Sequence, residues 1–126
     1  MKYLIDTHIL LWYILGDKRL KPKYIHLIDN DQNGIFISSV SIWEIALKLS
    51  IGKLKLTTNF KELIHYLDEN DFKILEYDSD DLNTMIGLPF HHQDPFDRLI
   101  IAQSISKKLP IVSDDDWFQK YDVELF

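Results

Sequence analysis

Short, β-prone apolar runs in this chain repeatedly end at a carboxylate and give way at once to a helix-like segment. Tyr3-Leu-Ile closes on Asp6 and Thr7, while Ile111-Val-Ser113 runs into Asp114-Asp-Asp116. Ser41-Ile-Trp-Glu44 and Asp94-Pro-Phe-Asp97 both open helical patterns, and Asp78-Ser-Asp-Asp81 is a weaker case. Strands alternating with helices in this way predict an α/β fold with a mostly parallel sheet covered on both faces. Ligands of such a sheet gather beyond the carboxyl ends of the strands, where the strand order reverses. Acids delivered together to that edge repel one another, and a bound divalent cation is the leading means of offsetting the repulsion.

The pattern along the chain supports the alternation. Tyr3-Leu-Ile reads as a buried strand, and Thr7 is placed to cap a helix from His8 to Leu15 that Gly16 stops. Tyr24, Ile25, Leu27 and Ile28 give one apolar face to a helix running from Lys21 or Pro22 to Asn30. Ile35–Ser39 reads as a central strand, followed from Ser41 by a helix that closes at Gly52. Beyond the connector Lys53–Thr58, Asn59 caps a helix Phe60–Glu69, and Phe72–Tyr77 is the next strand. Asp78 or Ser79 starts a short helix ending near Gly87. The clearest helix signals lie in Asp94–Leu109, with Asp94 as cap, Pro95 at the first helical position and Phe96, Leu99, Ile100 and Ile105 facing a core. Pro110–Ser113 is then a strand, Asp116–Tyr121 a helical turn, and Val123–Phe126 a terminal strand.

A chain of 126 residues, 46% of them hydrophobic, has the apolar mass for one core, and a single domain over residues 1–126 is expected. The 20 acidic against 14 basic residues, a formal charge of -6, argue against nucleic-acid binding by general electrostatic attraction. They leave room for a nucleic-acid enzyme whose bound cations reverse the local sign. With no cysteine, disulfides, thiolate nucleophiles and zinc–thiolate sites are excluded. Met1–Leu4 lacks a signal-peptide pattern and Ile9–Leu15 is too short to span a bilayer, so a soluble, cytoplasmic protein without membrane contact is expected. Carboxylate ligands without thiols or helically paired histidines suit magnesium or manganese better than zinc, and phosphodiester hydrolysis is the natural reaction for such a site.

Each acid also has an ordinary reading. Ser41-x-x-Glu44 matches a capping box, Asp94 is a good N-cap that Asp97 would complete, and Asp114–Asp116 reads equally as a solvated turn. Asp6 resists this, since a charge closing a buried strand needs a partner or a function. His91 and His92 lie in a polar loop beside the acids, where they either touch substrate or are merely solvated. Trp12, Trp43 and Trp117 read as core or interface aromatics. Lys48, Lys53, Lys55 and Arg98 are candidates for a phosphate-contacting rim, against the plain alternative of solvated surface.

These residues together resemble the PIN-domain family, and within it the toxin ribonucleases of bacterial VapBC toxin–antitoxin pairs. The likeness runs through Leu4-Ile-Asp-Thr-His8 with Leu11-Trp12, Ser41-Ile-Trp-Glu-Ile45 with Lys48 and Gly52-Lys-Leu54, and Leu88-Pro89 with His92. It continues through Asp94-Pro-Phe-Asp-Arg-Leu99, Ile101-Ala-Gln103 and Ile111-Val-Ser113 with Asp115 and Phe118. The resemblance implies a three-layer αβα sandwich and metal-binding, catalytic acids at Asp6, Glu44, Asp97 and Asp115, with Asp114 or Asp116 as substitutes for the last. It implies supporting or substrate roles for Thr7, Asp94 and Ser113, and magnesium or manganese as cofactor. RNA is the implied substrate, cut by metal-activated water. The implied partners are a second copy of the chain and a small antitoxin bound over the apolar groove of the early helices. Two rivals stand beside this reading. One is a PIN-like binding module without catalysis; the other is a receiver-like signalling domain, which normally needs adjacent acids after the first strand and a late lysine, whereas Asp6 here is followed by Thr7.

Overall fold

The computed structural model describes residues 1–126. Strand β1 (Lys2–Ile5) leads into helices α1 (Thr7–Leu15) and α2 (Pro22–Asp29), and β2 (Gly34–Ser38) into α3 (Ser39–Ser50) and α4 (Phe60–Glu69). Strand β3 (Lys73–Leu75) precedes α5 (Ser79–Ile86) and α6 (Pro95–Lys107), and β4 (Ile111–Val112) precedes a 3-10 turn at Asp116–Lys120. The strands lie in the order β3-β2-β1-β4 and every pairing is parallel. The chain therefore steps outward from β1 to β2 to β3 and returns to the opposite side of β1 with β4. That reversal leaves a crevice at the carboxyl ends of β1 and β4. The terminal strand expected at Val123–Phe126 shrinks to one parallel bridge between Leu125 and Ile111.

Period-two alternation divides the core into two layers. Ile5, Ile35, Ile37 and Val112 face a cluster built with Ile9 and Leu10 of α1, Leu27 of α2 and Leu63 and Leu67 of α4. Leu4 and Ile111, with half-buried Phe36, face the other way, against Leu99–Ala102 of α6, Leu88 and Phe118. The register Leu4–Phe36 and Leu4–Ile111 places these side chains side by side on one face of the sheet. The result is a three-layer αβα sandwich. Helix α3 joins both outer layers, giving Ile45 to the first cluster and Val40 to the second.

Several helix ends differ from the sequence reading in ways that matter for the site. Asp6, not Thr7, caps α1: its carboxylate accepts from the Ile9 N–H at 2.8 Å, and Thr7 is the first helical residue. Helix α3 begins two residues early because the Ser38 hydroxyl accepts from Val40 N–H, so Ser41 lies inside the helix and the expected Ser41–Glu44 capping box does not form. A reciprocal capping box forms instead at Asp78 and Asp81. Gly16, at φ 62°, ends α1 in the left-handed region as expected of glycine.

Helix α6 is buried on all sides from Asp97 to Ser104, a consequence of lying between the sheet, α3 and α5. Its apolar row is thus wider than the one face expected from spacing. Truncating Ile100, which is fully buried, is expected to leave a cavity that the surrounding layers fill only in part. Ile100→Ala should cost about 2–5 kcal/mol in a urea titration, with an unchanged m-value.

Candidate metal centre

The end of β1 and the end of β4 are tied together by one hydroxyl. Ser113 Oγ donates to Asp6 Oδ2 at 2.5 Å and accepts from Asp115 N–H at 3.1 Å, so it fixes both acids at the crevice. Asp115 in turn caps the 3-10 turn through Trp117 N–H. Of its neighbours, Asp114 lines the same cleft but is paired with Lys21 at 2.9 Å, and Asp116 lies exposed. The triple-aspartate run therefore presents Asp115 to Asp6.

Glu44 and Asp97 reach the same place from helices. Thr7 Oγ1 donates to Ser41 Oγ at 2.8 Å in the interior, pinning the start of α1 to α3 one turn before Glu44. Glu44 Oε2 is paired with Lys48 Nζ at 2.7 Å, one turn further along α3. Its other oxygen, Oε1, is buried and has no hydrogen-bond partner. Asp94 caps α6 by accepting from the Asp97 N–H at 3.0 Å, and His92 Nε2 lies 2.8 Å from Asp97 Oδ2. The His92 ring is stacked on Trp117 with an interplanar angle of 4°. The potential ligand atoms of His92, Asp94 and Asp97 fall within 4.8 Å of one another.

The electrostatics show that these groups share one environment. Burial pushes the Asp6 carboxyl up to about 6; hydrogen bonds from Ser113 and Ile9 oppose the rise, and Asp115 and Glu44 add to it. Burial likewise raises Asp97 to about 6, opposed by His92 and reinforced by Asp94, Glu44 and Asp6. Asp6 and Glu44 are each only 2% exposed. A buried carboxylate oxygen without a donor is costly unless a cation meets it, and an all-oxygen donor set suits a hard divalent ion. His92, Asp94 and Asp97 are the group whose ligand atoms already lie close together, and Asp6, Glu44 and Asp115 act on the same acids, so the chemistry present is compatible with a metal of that kind.

The remaining candidates fall into two groups. Thr7, Ser113 and Asp94 orient the acids through the bonds just described. Arg98 takes a different place from the phosphate-contacting rim: it is buried, its guanidinium donates to the carbonyls of Pro89 at 3.0 Å and Met85 at 3.2 Å, and Phe90 lies 3.9 Å from its centre. Its donors are spent on holding the loop before α6. Lys48 is spent on Glu44, and Lys53 and Lys55 are exposed. His92, placed from the sequence in a polar loop touching substrate or solvent, is instead bonded to Asp97, a contact no spacing rule encodes; the Glu44–Lys48 pair, four residues apart on a helix, does follow from spacing. Among the three tryptophans, Trp43 and Trp117 are substantially exposed and Trp12 is half-buried.

The fold is thus a parallel αβα sandwich with acids gathered near its strand-order reversal. The PIN domain model matches residues 3–124, and the chain belongs to the PIN domain family. PIN domains are generally nucleases that use divalent metals. Solved structures with the same fold include VapBC2 from Rickettsia felis bound to a DNA fragment from its promoter, at 20% identity and a TM-score of 0.72 over 99% of this chain and 96% of that one. VapBC-1 from nontypeable Haemophilus influenzae is similar at 14% identity and a TM-score of 0.68, over 100% and 97% of the two chains. A toxin–antitoxin complex from Klebsiella pneumoniae is similar at 19% identity and a TM-score of 0.60, over 90% and 86%. No curated protein sequence matches the chain.

The raised acids set a pH dependence. The folded protein holds the Asp6 and Asp97 protons up to about pH 6, whereas the unfolded chain releases them near the ordinary value of 3.8. Their contribution is fully present below that value and is lost as pH rises through the folded pKa, on the order of 3 kcal/mol for Asp6. In chelator, the parent should melt at lower temperature at pH 7.5 than at pH 5. Asp6→Asn, which keeps an N-capping oxygen, should flatten that slope; an equally steep slope in the variant, read by calorimetry, would contradict the assignment.

Proposed function

We propose that this protein is a divalent-metal-dependent endoribonuclease, the toxin of a VapBC-type toxin–antitoxin pair. Magnesium or manganese would be held by Asp6, Glu44, Asp97 and Asp115. The observation that carries the reading is the convergence of these four acids with Glu44 Oε1 buried and without a partner. A divalent ion there supplies Lewis acidity toward a phosphodiester and lowers the pKa of a water it binds.

The side chains contribute orientation and charge control. Ser113 fixes Asp6 and Asp115 in one register, Asp94 and His92 fix the two sides of Asp97, and Lys48 steadies one oxygen of Glu44 while the other stays buried without a partner. Preorganisation of this kind avoids rearranging the carboxylates as negative charge develops on the attacked phosphate.

Membership of the PIN family and likeness to solved toxin–antitoxin complexes support the toxin role. An antitoxin over the early helices would cover Leu15, which is exposed, and the half-buried Trp12, Tyr13 and Ile14 of α1. A homodimer would cover apolar side chains such as Trp43, Leu47 and Ile51, spaced one helical turn apart on the exposed side of α3. No helix is long and apolar enough to cross a membrane.

Manganese should raise the melting temperature of the parent through linkage, and the pair Asp6→Asn and Asp97→Asn should abolish that rise. Purified protein should cut RNA with magnesium or manganese and stop on addition of chelator, with a loss of roughly a hundredfold or more in either single variant. Cleavage that persists in chelator would overturn the metal-dependent reading. A metal-induced shift without cleavage of any RNA offered would leave a binding module in its place.

A further inference from the structure

Ser113 fixes Asp115 against Asp6, but Asp97 comes from the other half of the crevice, at the start of α6. Two segments meet between them, the loop before α6 and the 3-10 turn after β4. The turn grips the loop by its backbone. Tyr121, buried at the end of the turn, accepts from the His92 N–H at 2.8 Å and lies edge-on to the His91 ring, with centroids 5.1 Å apart. From the helix side, Arg98 Nη1 donates to the Pro89 carbonyl at 3.0 Å.

Trp117 adds the contact that bears on the acids. Its backbone N–H donates to Asp115 Oδ1 at 2.9 Å, and its indole stacks on the His92 ring, with centroids 5.3 Å apart and planes 4° from parallel. His92 Nε2 in turn lies 2.8 Å from Asp97 Oδ2. A ring stacked on an indole is confined to one plane, and a nitrogen held in that plane fixes the carboxylate it meets. One residue therefore touches Asp115 directly and reaches Asp97 through a single intermediary. Core packing does not account for this side chain: Trp117 is 42% exposed, whereas its neighbour Phe118 is 1% exposed.

We infer that Trp117 is a positioning residue of the acid cluster, setting Asp97 through the stacked His92 ring while its own N–H holds Asp115, so that the two acids keep one spacing. The inference rests on the metal-dependent reading and adds to it the element that couples the acid after β4 to the acid of α6. Trp117 acts through His92 rather than on the cation. Any residue but proline at this position keeps the N–H, so a substitution removes the stack and leaves the Asp115 cap in place. A flat aromatic ring there still offers a face to the imidazole, which a small aliphatic side chain does not.

The test is the manganese affinity of the full chain, read by isothermal titration calorimetry, beside its melting temperature in chelator. His92→Ala should weaken manganese binding about tenfold and Trp117→Ala about fivefold, with the chelator melting temperature of Trp117→Ala near the parental value. Trp117→Phe should recover most of the affinity, because the stack is kept. Since both side chains act on Asp97 by one route, adding Trp117→Ala to His92→Ala should change the affinity by less than about twofold. Parental affinity in Trp117→Ala, or losses that multiply in the double variant, would overturn the inference alone. So would a loss that Trp117→Phe shares and that comes with lower melting in chelator, the mark of a merely structural role. A parent that takes up no manganese would overturn the metal-dependent reading together with it.

Discussion

Everything at the functional edge depends on holding like charges together inside a protein. Asp6, Glu44 and Asp97 are buried, and desolvation is the largest influence on the two acids whose carboxyls rise to about 6. The fold tolerates them because each has a local anchor. Asp6 caps α1 and accepts from Ser113, Asp97 donates its backbone N–H to the Asp94 carboxylate and meets His92 at its side chain, and Glu44 is paired with Lys48. These bonds hold the acids in place without filling every lone pair. Glu44 Oε1 is left buried without a partner, a demand of the kind a hard cation would meet under the proposed function.

The same anchors tie the site to the core. Thr7–Ser41 and Ser113–Asp6 join elements far apart in the chain, so the metal-type centre and the packing of α1, α3 and β4 against the sheet stand or fall together. On the other side of the crevice, α6 carries Asp97 at its start and a fully buried body behind it, while Arg98 fastens the preceding loop. Burying Arg98 beside four carbonyl acceptors, rather than leaving it on the rim, gives the loop holding His92 a fixed position relative to Asp97. The helix that looks most ordinary in sequence is therefore the one that sets half of the acid geometry.

How far the sequence could be read follows from the range of each interaction. The strand–helix alternation, the Gly16 stop, the Asp94–Pro95 start of α6 and the parallel sheet are consequences of local preference and periodicity, and all were legible. The start of α3 was misplaced because Ser38 and Ser41 both suit a cap, and Ser38 takes it as the last residue of β2, paired with Leu75 of β3. The terminal strand was overestimated because Val123–Phe126 has the composition of a strand but meets only the short β4. Arg98 was assigned to the surface by its charge, an inference that ignores how a guanidinium can be satisfied by backbone carbonyls alone.

The sequence by itself determined the order of strands and helices and put acids just after β1, β3 and β4, because turn chemistry, capping and hydrophobic period act over a few residues. Tertiary structure decided that Asp115 shares Ser113 with Asp6 while Asp114 pairs with Lys21, that Glu44 is buried near these acids instead of capping its own helix, and that Arg98 is buried against loop carbonyls. Those outcomes turn on contacts between residues tens of positions apart. Desolvation and charge pairing there depend on what the folded chain brings within a few ångströms, a quantity no local pattern contains.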